Sequence, residues 1–239
     1  MSNYLKRLVP GGLKRSVKKA MGFQSMETRL QNLRRSGFSC SGAIDVGAYH
    51  GEWSKALRFT FDVPVVLVEP ELQCEPFLET YINTCSNGTW LEGCALGKEA
   101  GNVEFLLQET NSQVLNPGSG TLACKTRVEM RTLKDLLSRY TEDFNLLKVD
   151  VQGFELDVLE GAFEVLDQFE VIILEVSIIS IGKVPTFYEV MQYMHAKGYR
   201  LYDFLPMYYR PLDNALWQGD AIFVRNDSSL VSSLQWSSG

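Results

Sequence analysis

The chain of 239 residues is 45% hydrophobic and 22% charged, a composition that excludes intrinsic disorder and suffices for one globular domain with its own core. Its five cysteines are scattered and form no CxxC pair, which argues against a disulfide framework or a zinc knuckle. The chain has no apolar run of about 18 residues and no apolar signal-peptide segment, so the sequence predicts a cytoplasmic protein without a membrane span.

The first segment, residues 1–22, is strongly basic. It carries six of the 23 lysines and arginines and no acidic residue, which leaves 17 basic against 29 acidic side chains in the remainder. Leu13, Val17 and Met21 recur at the spacing of a short amphipathic helix. This helix can pack on the domain, or it can bind anionic lipid at the inner face of the membrane. Nucleic acid is not an expected partner, because the acidic remainder would repel phosphates. We predict a basic helical extension over residues 1–40.

Between residues 41 and 225, short apolar segments alternate with segments of helical spacing. The predicted strands are Ala43–Val46, Val65–Val68, Leu146–Val151 and Val171–Val176. The predicted helices are Glu52–Phe59, Glu71–Asn83, Leu133–Tyr140, Phe154–Asp167 and Pro185–Lys197. This alternation predicts a single α/β domain with a parallel sheet covered by helices on both faces. The serine-rich residues 226–239 are predicted to form a flexible tail.

The first predicted strand leads into a turn with glycines at positions 47 and 51, and Glu69 ends the second strand. This arrangement is typical of a nucleoside-binding βαβ unit, because glycine lets the backbone approach a ligand and a carboxylate accepts ribose hydroxyls. A dinucleotide would need a glycine in place of Tyr49 and a helix start without the charge of Glu52. The pattern therefore favours S-adenosylmethionine, which carries no phosphate, over a nicotinamide cofactor.

A second block contains a strand, a tight turn at Gly153 and an amphipathic helix. Together with the glycine turn, it resembles the successive motifs of the FkbM-like methyltransferases, which are class I, Rossmann-like enzymes that use S-adenosylmethionine and mostly methylate hydroxyl oxygens. The resemblance covers about residues 40–225. Gln152 departs from it, because the family often has glutamate at that position. The matching motifs are Asp45–Ser54, Val68–Pro70, Thr132–Leu137 and Lys148–Ala162.

The resemblance implies a seven-stranded, mostly parallel sheet whose last strand is antiparallel. Its final strand pair would be Arg200–Phe204 and Asp220–Arg225. It also implies the roles of the cofactor-binding residues: the methionine part would contact Asp45, Gly47, Ala48 and Gly51, the ribose Glu69, and the adenine edge Cys94 and Ala95. Asp150 would face the reaction centre.

Methylation of a hydroxyl requires a group that accepts its proton. Asp150 and Glu175 are the first candidates for that catalytic role, and His50 is a third. Asp45 and Asp150 can instead cap or pair at a strand-to-helix turn. Asp150 and Glu175 could also hold a magnesium ion, but a third oxygen ligand beside Glu175 is missing, so no metal is expected.

The sequence therefore predicts an O-methyltransferase that acts on a hydroxyl of a sugar, of a polysaccharide or lipid-linked glycan, or of a small metabolite. Two alternatives stay open at this point. One is a nicotinamide-dependent oxidoreductase on a similar sheet. The other is a non-catalytic accessory protein that tethers a partner or a membrane through its basic N-terminus.

Overall fold

The structure of the protein is a computed structural model, which describes residues 25–106, 113–114, 125–181, 184–205, 207–233 and 235. The basic segment 1–22 and its predicted amphipathic helix lie outside the described residues. Several residues of the C-terminal segment also lie outside them.

A seven-stranded sheet forms the centre of the domain and confirms the predicted fold class. Its strands lie in the order β10 (Tyr199–Phe204), β12 (Leu216–Arg225), β9 (Val171–Ser177), β8 (Leu146–Val149), β1 (Ala43–Val46), β2 (Val65–Val68) and β3 (Thr89–Glu92). Only β12, the last strand in the chain, runs antiparallel to its neighbours β9 and β10. A further two-residue strand, β11 (Tyr208–Tyr209), pairs with β12.

Helices cover both faces of this sheet. The core on one face includes residues of α1 (Met26–Arg35), α2 (Glu52–Arg58) and α3 (Glu75–Ile82). The core on the other face includes residues of α4 (Leu133–Leu137), α5 (Glu155–Gly161) and α6 (Phe187–Ala196). Every residue of β1, β2 and β8 is consequently buried. This double burial explains why β2 is a continuous apolar run and why β1 and β8 are apolar except for one charged residue each, Asp45 and Lys148.

Several helices are shorter than their predicted spans, and local chemistry sets their bounds. Thr132 caps α4 by accepting a hydrogen bond from the backbone N–H of Asp135, and Thr186 forms a capping box with Glu189 at the start of α6. The helix predicted over 71–83 begins at residue 75, with Pro76 in its first turn. Proline is tolerated there because its missing N–H would have no partner within the helix.

A second, smaller sheet was not predicted. Its order is β4 (Ala95–Leu96), β7 (Lys125–Arg131), β5 (Gly101–Leu106) and β6 (Gln113–Val114). It is inserted between β3 and α4 and packs Val103, Val128 and Met130 near Ala95 and Phe154. β5 and β7 mix apolar residues with polar and charged ones, so no continuous apolar run marks these strands in the sequence.

Both chain ends of the described part contact the domain. In α1, Leu30 and Leu33 are buried, and Arg29 forms an ion pair of 2.6 Å with Asp203. In the serine-rich segment, Ser228 is buried and its hydroxyl lies 2.6 Å from a carboxylate oxygen of Glu170. Parts of the predicted extension and tail therefore belong to the folded structure. None of the helices in the described ranges has the length and apolar character that a membrane crossing requires.

Candidate active site

The glycine turn between β1 and α2 lies at the carboxyl edge of the sheet. Gly47 and Gly51 have φ of 78° and 77°, in the left-handed region that glycine enters without strain. A Cβ atom on Gly47 would lie 1.9 Å from the carbonyl oxygen of Asp150. The turn therefore packs directly on the segment that follows β8, and this contact requires glycine. Tyr49 also has a positive φ, of 48°, which is uncommon for a residue with a side chain.

Asp45, a predicted cofactor residue, lies beneath this turn with no exposed surface. Its carboxylate accepts a hydrogen bond of 2.7 Å from the Ser54 hydroxyl and lies 3.4 Å from the ammonium group of Lys148. Burial raises the pKa of Asp45, while Lys148 and Ser54 act in the opposite direction. Any effect of Asp45 on a ligand must therefore act through the residues that it holds.

Glu69 follows β2 directly and is hydrogen-bonded to the glycine turn. One of its carboxylate oxygens accepts the backbone N–H of Tyr49 at 2.8 Å, and the other accepts that of Glu71 at 3.0 Å. Burial raises its pKa, and these two N–H groups oppose the shift. Each oxygen keeps acceptor capacity for a further hydrogen bond. Glu69 lines a cavity of about 760 Å³ that extends along β3.

The turn after β3 was predicted to contact adenine through Cys94 and Ala95, but these residues are only 1% and 5% exposed. The preceding residue, Gly93, is exposed and lines the same cavity as Glu69. Glu92 anchors this turn. Its carboxylate lies 2.8 Å from Arg131, accepts the hydroxyl of Tyr140 at 2.7 Å, and also accepts a guanidinium N–H of Arg139.

Three carboxylates form a row across neighbouring strands, and we call Asp150, Glu175 and Asp220 the carboxylate row. Asp150 follows β8, Glu175 lies in β9, and Asp220 pairs directly with Glu175 across β9 and β12. The side-chain amide of Gln152 donates to Asp150 at 3.0 Å and to Glu175 at 2.9 Å. Gln218 donates to the other oxygen of Glu175 at 2.8 Å. The row thus unites the two predicted catalytic residues.

The sequence analysis missed Asp220, Gln218 and Lys148. Asp220 and Gln218 reach the row only because β12 inserts antiparallel between β9 and β10. No local motif marks these two residues. Lys148 could have been found, since a lysine in the middle of an apolar predicted strand needs a buried acidic partner.

Burial and repulsion between neighbouring carboxylates raise the pKa values of several acidic residues in and near the row. Burial, together with the charges of Asp150, Glu155 and Asp220, raises the pKa of Glu175 to about 9. Burial and Asp150 raise the pKa of Asp220 to about 6. Burial also raises the pKa of Glu155 to about 7, although it accepts the backbone N–H of Gly153. Burial and the neighbouring carboxylates therefore favour the protonated form of Glu175.

The geometry between Asp150 and Glu175 does not suit a metal ion. The amide nitrogen of Gln152 lies where a cation shared by the two carboxylates would bind. An N–H group is a donor and cannot ligate a cation. Asp150 and Glu175 are therefore not assigned as metal ligands.

His50, the third candidate for a base, is held elsewhere. Its ring stacks between Tyr49, at a centroid distance of 3.8 Å, and Phe77, at 4.0 Å. Its carbonyl oxygen accepts a hydrogen bond of 2.7 Å from Lys55. These contacts connect the glycine turn to α3 rather than to the carboxylate row.

Comparison with protein families gives one match. The family described as the methyltransferase FkbM domain matches residues 45–201, which include the glycine turn, Glu69, Asp150 and Glu175. Comparison with curated proteins gives no match.

Solved structures of similar fold include several methyltransferases at low identity. An rRNA methylase from Streptococcus thermophilus is 10% identical, with 84% of this chain and 96% of that chain covered and a TM-score of 0.49. A ribosomal protein L11 methylase from Lactobacillus delbrueckii subsp. bulgaricus is 13% identical, with 83% and 78% covered and a TM-score of 0.48. The 1,6-didemethyltoxoflavin-N1-methyltransferase of Burkholderia thailandensis, solved with S-adenosylhomocysteine, is 10% identical, with 89% and 84% covered and a TM-score of 0.48.

Proposed function

This chain belongs to the methyltransferase FkbM domain family, and from that premise we propose that it transfers the methyl group of S-adenosylmethionine to a hydroxyl oxygen of an uncharged acceptor. The acceptor would be a sugar, a polysaccharide or lipid-linked glycan, or a small metabolite that carries a hydroxyl group.

The observation that carries this proposal is the acidity of the site around the glycine turn. Glu69 and Glu71 lie beside the turn, and Glu52 is the first residue of the helix after it. The carboxylate row lies at the ends of the neighbouring strands β8, β9 and β12. Such a site suits a sulfonium cation and repels the pyrophosphate of a nicotinamide cofactor. This argues against the oxidoreductase alternative. The ordered carboxylate of Glu69 argues against an accessory protein that has lost its ligand.

The residues of the turn would hold the cofactor. The backbone of Gly47, Ala48 and Gly51 would face its methionine part, and Glu69 would accept the ribose hydroxyls. The cavity bordered by Glu69 and Gly93 would receive the adenine. S-adenosylmethionine supplies an already activated methyl group, so the main task of the protein is to orient the acceptor oxygen.

The carboxylate row would handle the acceptor. Bound S-adenosylmethionine would supply the methyl group and leave as S-adenosylhomocysteine, and Asp150 would accept the proton that the acceptor hydroxyl loses. The Asp150 side chain is 32% exposed and pairs with Lys148. Glu175, whose protonated form is favoured and whose side chain is held by two glutamines, would anchor the acceptor by hydrogen bonds. Anionic acceptors would be repelled by the row.

The cofactor assignment is tested by titrating S-adenosylhomocysteine in a calorimeter. In Glu69→Gln, an amide N–H would face one of the two backbone N–H donors, and the charge would be lost. We expect affinity to fall by about 1–3 kcal/mol, the scale of a hydrogen bond to a charged group. The exposed Glu142 provides the control Glu142→Gln, which should bind as the wild type. Equal affinity of Glu69→Gln and wild type would disprove the ribose assignment.

The reaction is tested with methyl-labelled S-adenosylmethionine and an extract as the source of acceptors. A methyl ether survives mild alkali, whereas a methyl ester releases labelled methanol. We expect label in alkali-stable, uncharged material. Label that is released as methanol, or that enters only anionic material, would contradict O-methylation of a neutral acceptor.

A further inference from the structure

Lys148 is a lysine in the interior of a central strand, with a side chain only 7% exposed. Its ammonium nitrogen lies 3.4 Å from a carboxylate oxygen of Asp45 and 3.3 Å from one of Asp150. It also donates to the carbonyl oxygen of Gly47 at 3.4 Å. An ammonium group taken out of water costs several kcal/mol unless its partners compensate. These three contacts are therefore what allows a lysine at this position.

The partners of Lys148 belong to two different parts of the site. Asp45 and Gly47 belong to β1 and the glycine turn, whereas Asp150 belongs to the carboxylate row. Because Lys148 pairs with Asp45 in the register of β1 and β8, its side chain crosses the boundary between the two parts. Removal of this one side chain would remove the ionic link between the turn and the row.

Carboxylates on several strands act on the same ammonium group. Burial lowers the pKa of Lys148, but Asp150, Asp45 and Asp220 raise it by more, so that the net shift is upward. Lys148 in turn opposes the upward pKa shifts of Glu69 and Glu175. The acidic groups that its charge influences are Asp45, Glu69, Asp150, Glu175 and Asp220.

We propose that Lys148 is a positioning residue of the methyl-transfer site, whose ammonium group orders the glycine turn and holds the Asp150 side chain in its orientation beside the methyl donor. This inference rests on the proposed function, because it places S-adenosylmethionine over the turn and the acceptor at the row.

A neutral side chain of similar length separates this role from simple packing. In Lys148→Met the volume is filled, but the carbonyl oxygen of Gly47 loses its donor and Asp45 keeps only Ser54 as a partner. Asp150 keeps only the amide of Gln152. The turn loses order, and the site loses one positive charge.

The experiment compares the affinities of S-adenosylmethionine, which is a sulfonium cation, and S-adenosylhomocysteine, which is neutral at sulfur. In Lys148→Met we expect both affinities to fall by about tenfold or more, the scale of a hydrogen bond to a charged group. We also expect the remaining affinity to favour the cation over the neutral compound by about threefold more than in wild type, because a nearby positive charge is gone. Lys98→Met, at an exposed ion pair with Glu160, is the matched control and should leave both affinities unchanged.

Asp150→Asn changes the other partner of the ion pair between Lys148 and Asp150. Its result does not depend on whether Lys148→Met folds. It leaves Lys148 in place and removes a negative charge, so the preference for the cation should fall. Wild-type affinities in a folded Lys148→Met, or equal loss for both compounds in it, would overturn the inference, as would an unchanged preference in Asp150→Asn. Absence of binding of either compound to the wild type would instead overturn the proposed function.

Discussion

The glycine turn and the carboxylate row lie at the same edge of one sheet, yet they are built differently. In the turn, Glu69 is held by backbone N–H groups of Tyr49 and Glu71. In the row, Glu175 is held by the side-chain amides of Gln152 and Gln218. Backbone donors form a fixed frame, which suits a cofactor that is the same in every turnover. Side chains and titratable groups form a site whose shape and charge single mutations can change. Such a site suits an acceptor, which can differ from one enzyme to another.

The largest effect is expected where the two regions touch. Gly47→Ala would place a Cβ atom 1.9 Å from the carbonyl oxygen of Asp150, at a φ that disfavours alanine. The backbone on one side of this contact must move. We expect a loss of stability of about 3 kcal/mol or more, together with loss of S-adenosylhomocysteine binding. Thermal unfolding and calorimetry measure the two losses.

Gly93→Ala is the matched control for that substitution. A Cβ atom at Gly93 would meet no atom within 4 Å, and its φ is not in the left-handed region. Its unfolding temperature should stay within about 2 °C of the wild type. If Gly47→Ala behaves like Gly93→Ala, the turn and the row are not packed as described.

A smaller effect should appear in the row as a dependence of stability on pH. The pKa of Glu175 in the folded protein is raised from 4.5 to about 9. Between these values the folded protein binds a proton that the unfolded chain has released, so stability falls as the pH rises through this range. Asp220 and Glu155, whose pKa values are about 6 and about 7, act in the same direction.

Glu175→Gln removes the largest of these shifts. The decrease in unfolding temperature between pH 5 and pH 8 should be smaller in this variant than in the wild type, by about 8 °C or more. Glu99→Gln, at an exposed position, should keep the wild-type decrease. An identical decrease in Glu175→Gln and wild type would show that the neighbours of Glu175 do not favour its protonated form.

The smallest effect concerns the support beneath the turn. Ser54→Ala leaves the buried carboxylate of Asp45 with Lys148 as its remaining partner. We expect a loss of about 1 kcal/mol in the free energy of unfolding and a modest loss of S-adenosylhomocysteine affinity. Ser138→Ala, which removes an exposed hydroxyl from the end of α4, should change neither by more than a few tenths of a kcal/mol. Wild-type stability of Ser54→Ala would mean that Asp45 does not depend on this hydrogen bond.

The features of this protein that could be predicted from its sequence are those that short-range interactions set. The main strands and the positions of Gly47 and Glu69 were predictable, because periodicity, glycine turns and strand-end acids act within a few residues. The start of α3 and the small sheet were not predicted. The helical spacing of the sequence begins at residue 71, but the helix itself begins at Glu75, next to Pro76. The strands β5 and β7 have no continuous apolar run that would mark them.

The amino-acid sequence alone determined that this protein has a mostly parallel sheet with a glycine turn after its first strand and an acidic residue after its second, because these features are local or periodic. Only the tertiary structure decided that Asp220 and Gln218 join Glu175, that Lys148 connects Asp45 with Asp150, and that Cys94 is buried. Those outcomes depend on strand order and register across the sheet. Contacts between residues far apart in the chain set both, so no short segment of sequence encodes them.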